Sequence, residues 1–267
     1  MHVMHRFFTR TCAVAAAGVA LGMWAVPAAS ASGGSSAAIH PGVIGPAPRF
    51  TSKDHAVGVN VKATNNRVFA GYESGVRTGS ATVVLASFAV PTLAACTSTD
   101  RAITPSAGIE VNNFKSFSTA FVFVGCANGT ATYFPGLIVN GKEQDFTSTP
   151  FAAGDVIDLI TKVSTNRTRV QVTDVTTGVT QKITNGAGAS ARAPFIGDDG
   201  WGSSTGALEH VPDFGKLKFR NVTVNGKTLA SQHPQAFQRV NSNGTVQIAI
   251  GSISSTGIAF ATRFEHS

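Results

Sequence analysis

Residues 153–183 read AGDVIDLITKVSTNRTRVQVTDVTTGVTQKI, and this stretch decides the fold class. In its first third, Ile157, Leu159, Thr161 and Val163 fall on one side of an extended chain. Val156, Asp158, Ile160 and Lys162 fall on the other. The next segment sends Val170 and Val172 one way and Arg169, Gln171 and Thr173 the other. Alternation with period two in β-branched residues marks a half-buried strand. Ala-Gly-Asp leads into the first strand, Thr165-Asn166-Arg167 separates it from the second, and Thr176-Thr177-Gly178 closes the next hairpin. These are turn residues for definite reasons: glycine tolerates positive φ, and Asn and Asp side chains bond their own backbone. A three-stranded meander with one apolar face needs a second layer over it.

The rest of the chain supplies strands for that layer. Working outward, the segments 57–61, 67–74, 82–90, 109–111, 120–124, 133–139, 142–146, 216–224, 235–241, 246–250 and 258–264 all read as strands. Asn140-Gly141 is the strongest hairpin signal in the sequence, and Asn225-Gly226 ends the strand 216–224. Residues 185–192 read as a Gly/Ala/Ser loop, and residues 195–201, FIGDDGW, break up into the flexible GSSTG. No amphipathic helix longer than two turns is visible. The expectation is an all-β fold, a sandwich of two packed antiparallel sheets.

Residues 1–31 are not part of that fold. Arg6 and Arg10 precede an apolar run at 13–26, and Ala29-Ser30-Ala31 is a small-x-small cleavage site. This is the pattern of a secretory signal peptide cut after Ala31, and the run is short for a membrane anchor. Residues 32–52, rich in Gly, Ser, Ala and Pro, read as a flexible arm or a short propeptide, and residues 53–267 as a single domain. Without Arg6 and Arg10, 19 basic residues face 14 acidic ones, and the net charge falls from +7 to +5. That favours anionic surfaces modestly. Cys12 leaves with the leader, so Cys96 and Cys126 remain as an even pair in an oxidising compartment, read as a disulfide and not as two buried thiols. No cofactor or metal is expected: neither cysteine has another Cys or His at ligand spacing, and His40, His55, His210, His233 and His266 are scattered.

Several short motifs, in order, resemble the eqolisins, the glutamic endopeptidases of peptidase family G1/A4. Phe69-Ala-Gly-Tyr72 is similar to their N-W-A-G-Y, and Ser87-Phe-Ala-Val-Pro91 followed by Cys96 to F-x-V-P…C. Gly108-Ile-Glu110 is similar to G-I-D, Cys126-Ala-Asn-Gly-Thr130 to C-x-N-G-T, and Ala153-Gly-Asp-Val-Ile157 to P-G-D-x-I. Asp213-Phe-Gly215 with Asn221-Val-Thr-Val-Asn-Gly226 is similar to D-F-G…N-x-x-x-N-G. The resemblance implies a concanavalin A-like sandwich, a Cys96–Cys126 pairing and a secreted acid endopeptidase. In that family a Glu acts as general base on water and a Gln amide holds the oxyanion.

The two catalytic positions depart from the pattern. The Gln position falls near Thr119 and Ala120, and the Glu position of A-E-W-I-x-E matches Pro194. The family's aromatic Y-x-W-Y-E run becomes Phe134-Pro-Gly-Leu-Ile138 after Tyr133. The resemblance therefore implies a catalytically degenerate member that acts as an extracellular binding protein for a polysaccharide, cell-wall polymer or peptide. The alternative is an active endopeptidase with displaced residues, for which Glu110, Asp198 and Glu209 are candidate acids and Gln144 a candidate amide.

Other patterns weigh less. Gly202-Ser-Ser204-Thr-Gly206 matches G-x-S-x-G but lacks the strand-to-helix setting that a nucleophile elbow needs. Asp198 and Asp199 are adjacent, so an extended chain turns them to opposite faces, and they read as a loop feature. Lys216, Lys218 and Arg220 line one face of a strand, with Arg167 and Arg169 as a second basic spot, a solvated face or a shallow track for an anionic polymer. Nucleic acid is not expected, because no aromatics interleave with these cations to stack bases. Asn128, Asn166, Asn221 and Asn243 begin N-x-Thr sequons of ordinary turn composition. A monomer with no membrane span completes the expectation.

Overall fold

The computed structural model describes residues 62–75, 82–96, 101–113, 115–201 and 210–266, all within one compact unit, Ile39–Ser267. The expected leader 1–31, the arm 32–52, the strand 57–61, His40, His55, Ser204 and Glu209 lie outside the described residues. The described chain is almost all strand: β1 (Thr64–Asn66), β2 (Phe69–Glu73), β3 (Thr82–Ala89), β4 (Arg101–Val111), β5 (Ser116–Ala127), β6 (Thr130–Val139), β7 (Lys142–Asp145) and β8 (Val156–Ser164). There follow β9 (Arg167–Asp174), β10 (Thr180–Asn185), β11 (Ala191–Gly200), β12 (Lys216–Val224), β13 (Lys227–Thr228), β14 (Gln235–Val240), β15 (Val246–Ile250) and β16 (Phe260–Phe264). No helix among the described residues is long and apolar enough to cross a membrane.

Two layers pack face to face. The first runs β10-β9-β8-β3-β12, and the second β16-β15-β14-β2-β11-β4-β5-β6-β7. β12 belongs to both: Arg220–Val224 pairs with β3 and Lys216–Phe219 with β16, so the hydrogen-bonded path is continuous. Every pairing is antiparallel except that of β1 with β14. The meander predicted at 153–183 is β8-β9-β10, with Leu159 opposite Val172 and Thr161 opposite Val170. Ile157, Leu159, Val163, Val170 and Val172 are buried against the second layer, as the alternation requires. Asn140-Gly141 and Asn225-Gly226 both form tight turns with positive φ, 51° and 79° in the first and 53° and 71° in the second. Cys96 and Cys126 are bonded.

Two readings are corrected. Residues 195–200, read as a stretch that breaks up, are the body of β11, a central strand between β2 and β4. β4 and β5 are also longer than their apolar cores suggested. The reason is the same in both cases. Strand pairing on two sides holds Gly, Asp and Ser residues whose own β-propensity is poor.

Candidate functional site

The inner face of the second layer packs on the first through Ala70, Tyr72, Ala107, Ile109, Ala120 and Ile196. Alternation therefore sends Phe69, Gly71 and Glu73 of β2 to the outer face. It does the same for Ser106, Gly108 and Glu110 of β4, and for Phe195, Gly197 and Asp199 of β11. That outer face is aromatic. Phe121, Phe123, Phe134 and Trp201 form one buried cluster, and Phe69, Phe195 and Phe237 another, with Phe117 touching both. The rings of Phe123 and Phe134 stack with centroids 4.6 Å apart.

Acidic groups are set into this aromatic layer. Glu73 stands between Phe195 of β11 and Gln235 of β14, directly opposite each in register. Both its carboxyl oxygens are buried without a hydrogen bond. Burial, and then the charge of Glu110, raise its pKa to about 9. Glu110 is raised to about 8 by burial and then by Asp199. Asp199 accepts a 2.6 Å hydrogen bond from the Ser106 hydroxyl. Burial lifts it to about 7 against the opposing pull of Ser106 and Arg239. Asp198 points the other way, towards Thr262; burial raises it to about 7 against the opposing pull of Thr262 and Arg239. The buried Arg239 acts on both aspartates, and burial lowers its own pKa to about 10. Glu143 and Asp145, at the β7 edge of the same face, are also raised by burial. Below about pH 6 Glu73, Glu110, Asp198 and Asp199 hold protons.

The structure places the expected site residues as follows. Pro194 lies at a bulge in β11, where the register to β4 shifts between Ala191 and Pro194, so its missing N–H costs no regular ladder bond. It pairs with Ile109 and faces the inter-layer core. Ala120 faces the same core, and its amide donates to the Thr161 hydroxyl at 3.1 Å. Thr119 is buried on the outer face, opposite Gly108. Positions 119 and 194 therefore lie on opposite faces of the second layer. Glu110 does join the acidic cluster, whereas Gln144 is exposed on β7 and does not. Asp198 and Asp199 point to opposite faces as expected, but from mid-strand, not from a loop. Lys216, Lys218 and Arg220 are exposed on β12. Among the described residues no group of three or more His, Cys, Asp or Glu side chains has the arrangement of a metal site. Sequence reading missed Glu73, which follows the Phe69-Ala-Gly-Tyr72 motif directly, and Arg239; a carboxylate and a guanidinium at alternating positions of apolar strands were the available signal.

The fold is a two-layer antiparallel β-sandwich with an aromatic, acidic outer face. The model of the Peptidase A4 family matches residues 67–260, and the chain belongs to that family. Among solved structures, scytalido-glutamic peptidase bound to a peptide-based transition-state analog is 18% identical, with a TM-score of 0.56 over 74% of this chain and 100% of that one. SCP-B, an eqolisin-family peptidase in complex with the tripeptide Ala-Ile-His, is 17% identical with a TM-score of 0.54, over 74% of this chain and 100% of that one. Aspergilloglutamic peptidase from Aspergillus niger is 18% identical with a TM-score of 0.51, over 62% of this chain and 99% of that one. No curated protein matches the sequence.

Proposed function

We propose that this chain is a secreted, catalytically degenerate member of the Peptidase A4 family that binds an extracellular polymer. The observation that carries the reading is the state of the two positions where the family's dyad is expected. Thr119 and Ala120 offer no amide, and Pro194 offers neither a carboxylate nor an N–H. Ala120 is packed into the inter-layer core and Pro194 is buried opposite Ile109, so neither position is open to solvent. The outer-face carboxyls Glu73, Glu110 and Asp199 are sealed, at 0%, 2% and 3% exposure. Peptide hydrolysis needs a base on water and a donor aimed at the oxyanion, and losing one such donor costs about 10²–10³ in rate. The leader pattern at 1–31 and the Cys96–Cys126 disulfide support export. The test is purified mature protein with unfolded casein and a peptide library from about pH 2 to 6, read by mass spectrometry; cleavage should stay at background, and robust pepstatin-resistant cleavage sinks the reading.

A second reading rests on one register pair, although the Gln235 amide donates to the Thr64 hydroxyl at 3.0 Å. Gln235 and Glu73 face each other across β14 and β2, which puts an amide and a protonated carboxyl side by side on the outer face. An acid endopeptidase with a displaced dyad would use that pair. It requires cleavage that Glu73→Gln and Gln235→Ala each abolish while the fold persists.

A further inference from the structure

The basic residues noted separately in the sequence lie on one surface. β12, β3, β8, β9 and β10 are neighbours in that order, and their outward positions share one face, which the β16-paired half of β12 extends beyond β3. β12 contributes Arg220, beside Ser87 of β3, and Lys216 and Lys218 on its β16-paired half, all exposed. β8 and β9 contribute Lys162, Arg167 and Arg169, and β10 contributes Lys182, again all exposed. The carboxylate on these outward strand positions is Asp158, which accepts a 2.6 Å hydrogen bond from Ser87. None of these cations forms an ion pair with a described residue.

Two features set this face apart from an ordinary solvated sheet. Lys162 and Arg169 are directly opposite each other in register, an arrangement that destabilises a sheet. A carboxylate at either position would relieve it. The acids are instead gathered on the far face of the other layer, in Glu73, Glu110, Glu143, Asp145 and Asp199. Between the cations runs a polar row of three hydroxyls and one carboxylate: Ser87 opposite Asp158, Asp158 opposite Thr173, and Thr173 opposite Thr180. The Thr173 and Thr180 hydroxyls are 3.2 Å apart. The next row sets Gln171 beside Lys182. The platform from β12 to β10 is roughly 19 Å wide at the usual strand spacing.

We infer that this face binds a linear polyuronate, a polysaccharide that repeats a carboxylate along its chain. The cations match the carboxylates, and the Ser, Thr and Gln rows match sugar hydroxyls lying between them. The face carries no outward aromatic ring on which a nucleobase could stack. The inference rests on the binding reading above and names its ligand class.

The probes are polygalacturonate, dextran, a glycerol-phosphate teichoic acid and single-stranded DNA, tested by affinity electrophoresis and calorimetry with purified mature protein. Wild type should bind polygalacturonate and not dextran, and raising NaCl from about 50 to 200 mM should weaken binding by about tenfold or more. Lys162→Gln/Arg169→Gln/Lys182→Gln and Lys216→Gln/Lys218→Gln/Arg220→Gln should each weaken it by about tenfold or more. The charge-keeping set Lys162→Arg/Lys182→Arg/Lys216→Arg/Lys218→Arg should bind as wild type does. If a Gln triple loses its near-ultraviolet circular dichroism, Arg169→Gln and Arg220→Gln alone should still weaken binding measurably. Unchanged binding in the Gln variants overturns the inference, as does equal or tighter binding of teichoic acid or DNA at matched salt. Dextran binding without polygalacturonate binding overturns it too, yet leaves the binding reading intact, whereas casein cleavage overturns that reading and leaves the platform to be judged on its own variants.

Discussion

Gly71 and Gly197 stand directly opposite each other on β2 and β11, and the ring of Phe69 lies over both. A Cβ on Gly71 would meet the Phe69 ring at 2.5 Å, and one on Gly197 would meet it at 2.8 Å. The two bare backbones make a recess that lets an aromatic ring lie flat on the sheet, next to the acidic cluster. Both positions are also limited by backbone: a Cβ on Gly197 would sit 2.2 Å from the Ala70 carbonyl oxygen, and one on Gly71 would sit 2.3 Å from the Ile196 carbonyl oxygen. Backbone cannot step aside as a side chain can.

Gly197→Ala should therefore destabilise the domain by about 1–3 kcal/mol, the usual cost of forced overpacking. Thermal unfolding followed by circular dichroism checks it. Gly154→Ala is no match for this test, since its φ of 93° strains any side chain; Gly186→Ala is, because open space surrounds it. Gly186→Ala should unfold within a degree or two of wild type. Equal melting of the two variants would mean that the β2–β11 contact is not as tight as described.

This recess also shows what the sequence could and could not say. The meander β8-β9-β10 was legible because each strand alternates apolar and polar residues and ends in turn residues with a definite mechanism. Both Asn-Gly turns were legible for the same reason. β11 was not, because FIGDDG has no alternation that distinguishes a strand from a loop. Gly197 is there to admit a neighbour's ring, and that neighbour is remote in sequence. Asp198 and Asp199 are held in a strand by pairing to β2 and β4, a tertiary effect that overrides propensity. Glu110 was singled out from its motif, but its partners Glu73 and Asp199 come from other strands, so nothing local could assemble the cluster. The faces of Ala120 and Pro194 depend on register and on the bulge in β11, which composition does not reveal.

The acidic cluster makes stability depend on pH in an unusual direction. Folding raises Glu73 to about 9, Glu110 to about 8 and the two aspartates to about 7, all above their ordinary values. The native state then holds more protons than the unfolded chain between about pH 4 and pH 9. Stability is full below the ordinary carboxylate range and is lost as pH rises through the folded pKa values. The melting temperature should be highest near pH 4 and fall by several degrees or more by pH 8, on the order of a few kcal/mol. Glu73→Gln keeps the shape and removes one titration, so it should flatten that fall and melt above wild type at pH 8. A wild-type melting temperature that rises from pH 4 to pH 8 would refute the assignment.

The disulfide closes a long loop, with Cys96 and Cys126 separated by 30 residues. Constraining the unfolded chain over that length stabilises the fold by about 3–4 kcal/mol on the chain-entropy model. Reduction at pH 5 should lower the denaturation midpoint accordingly, and intact-mass measurement without reductant should find no alkylatable thiol. Cys126 is buried in the inter-layer core beside Val124, so replacing it also leaves a packing defect. Reduction, not substitution, is the cleaner measurement.

The last prediction concerns restoring the family's residues at positions 120 and 194. On the resemblance alone, Ala120→Gln with Pro194→Glu would rebuild the dyad. The structure argues otherwise. Ala120 is fully buried, opposite Ala107 and Leu137 in register, with its amide tied to Thr161; the Thr161 hydroxyl in turn donates to the Ala107 carbonyl at 2.7 Å. Pro194 is buried opposite Ile109. A Gln and a Glu at these places would enter the core between the layers, where an unpartnered polar group costs on the order of several kcal/mol and a carboxylate more. The double variant should therefore melt far below wild type, or fail to be secreted in soluble form, and should not cleave casein between about pH 2 and 6. Thr119→Gln is the informative comparison, because position 119 lies on the outer face in the same cross-strand row as Phe195 and Glu73. It should fold with a smaller loss. A double variant that folds like wild type and cleaves peptides would show that positions 120 and 194 face a cleft, and the assignment of inner and outer faces to β5 and β11 would then have to be reversed.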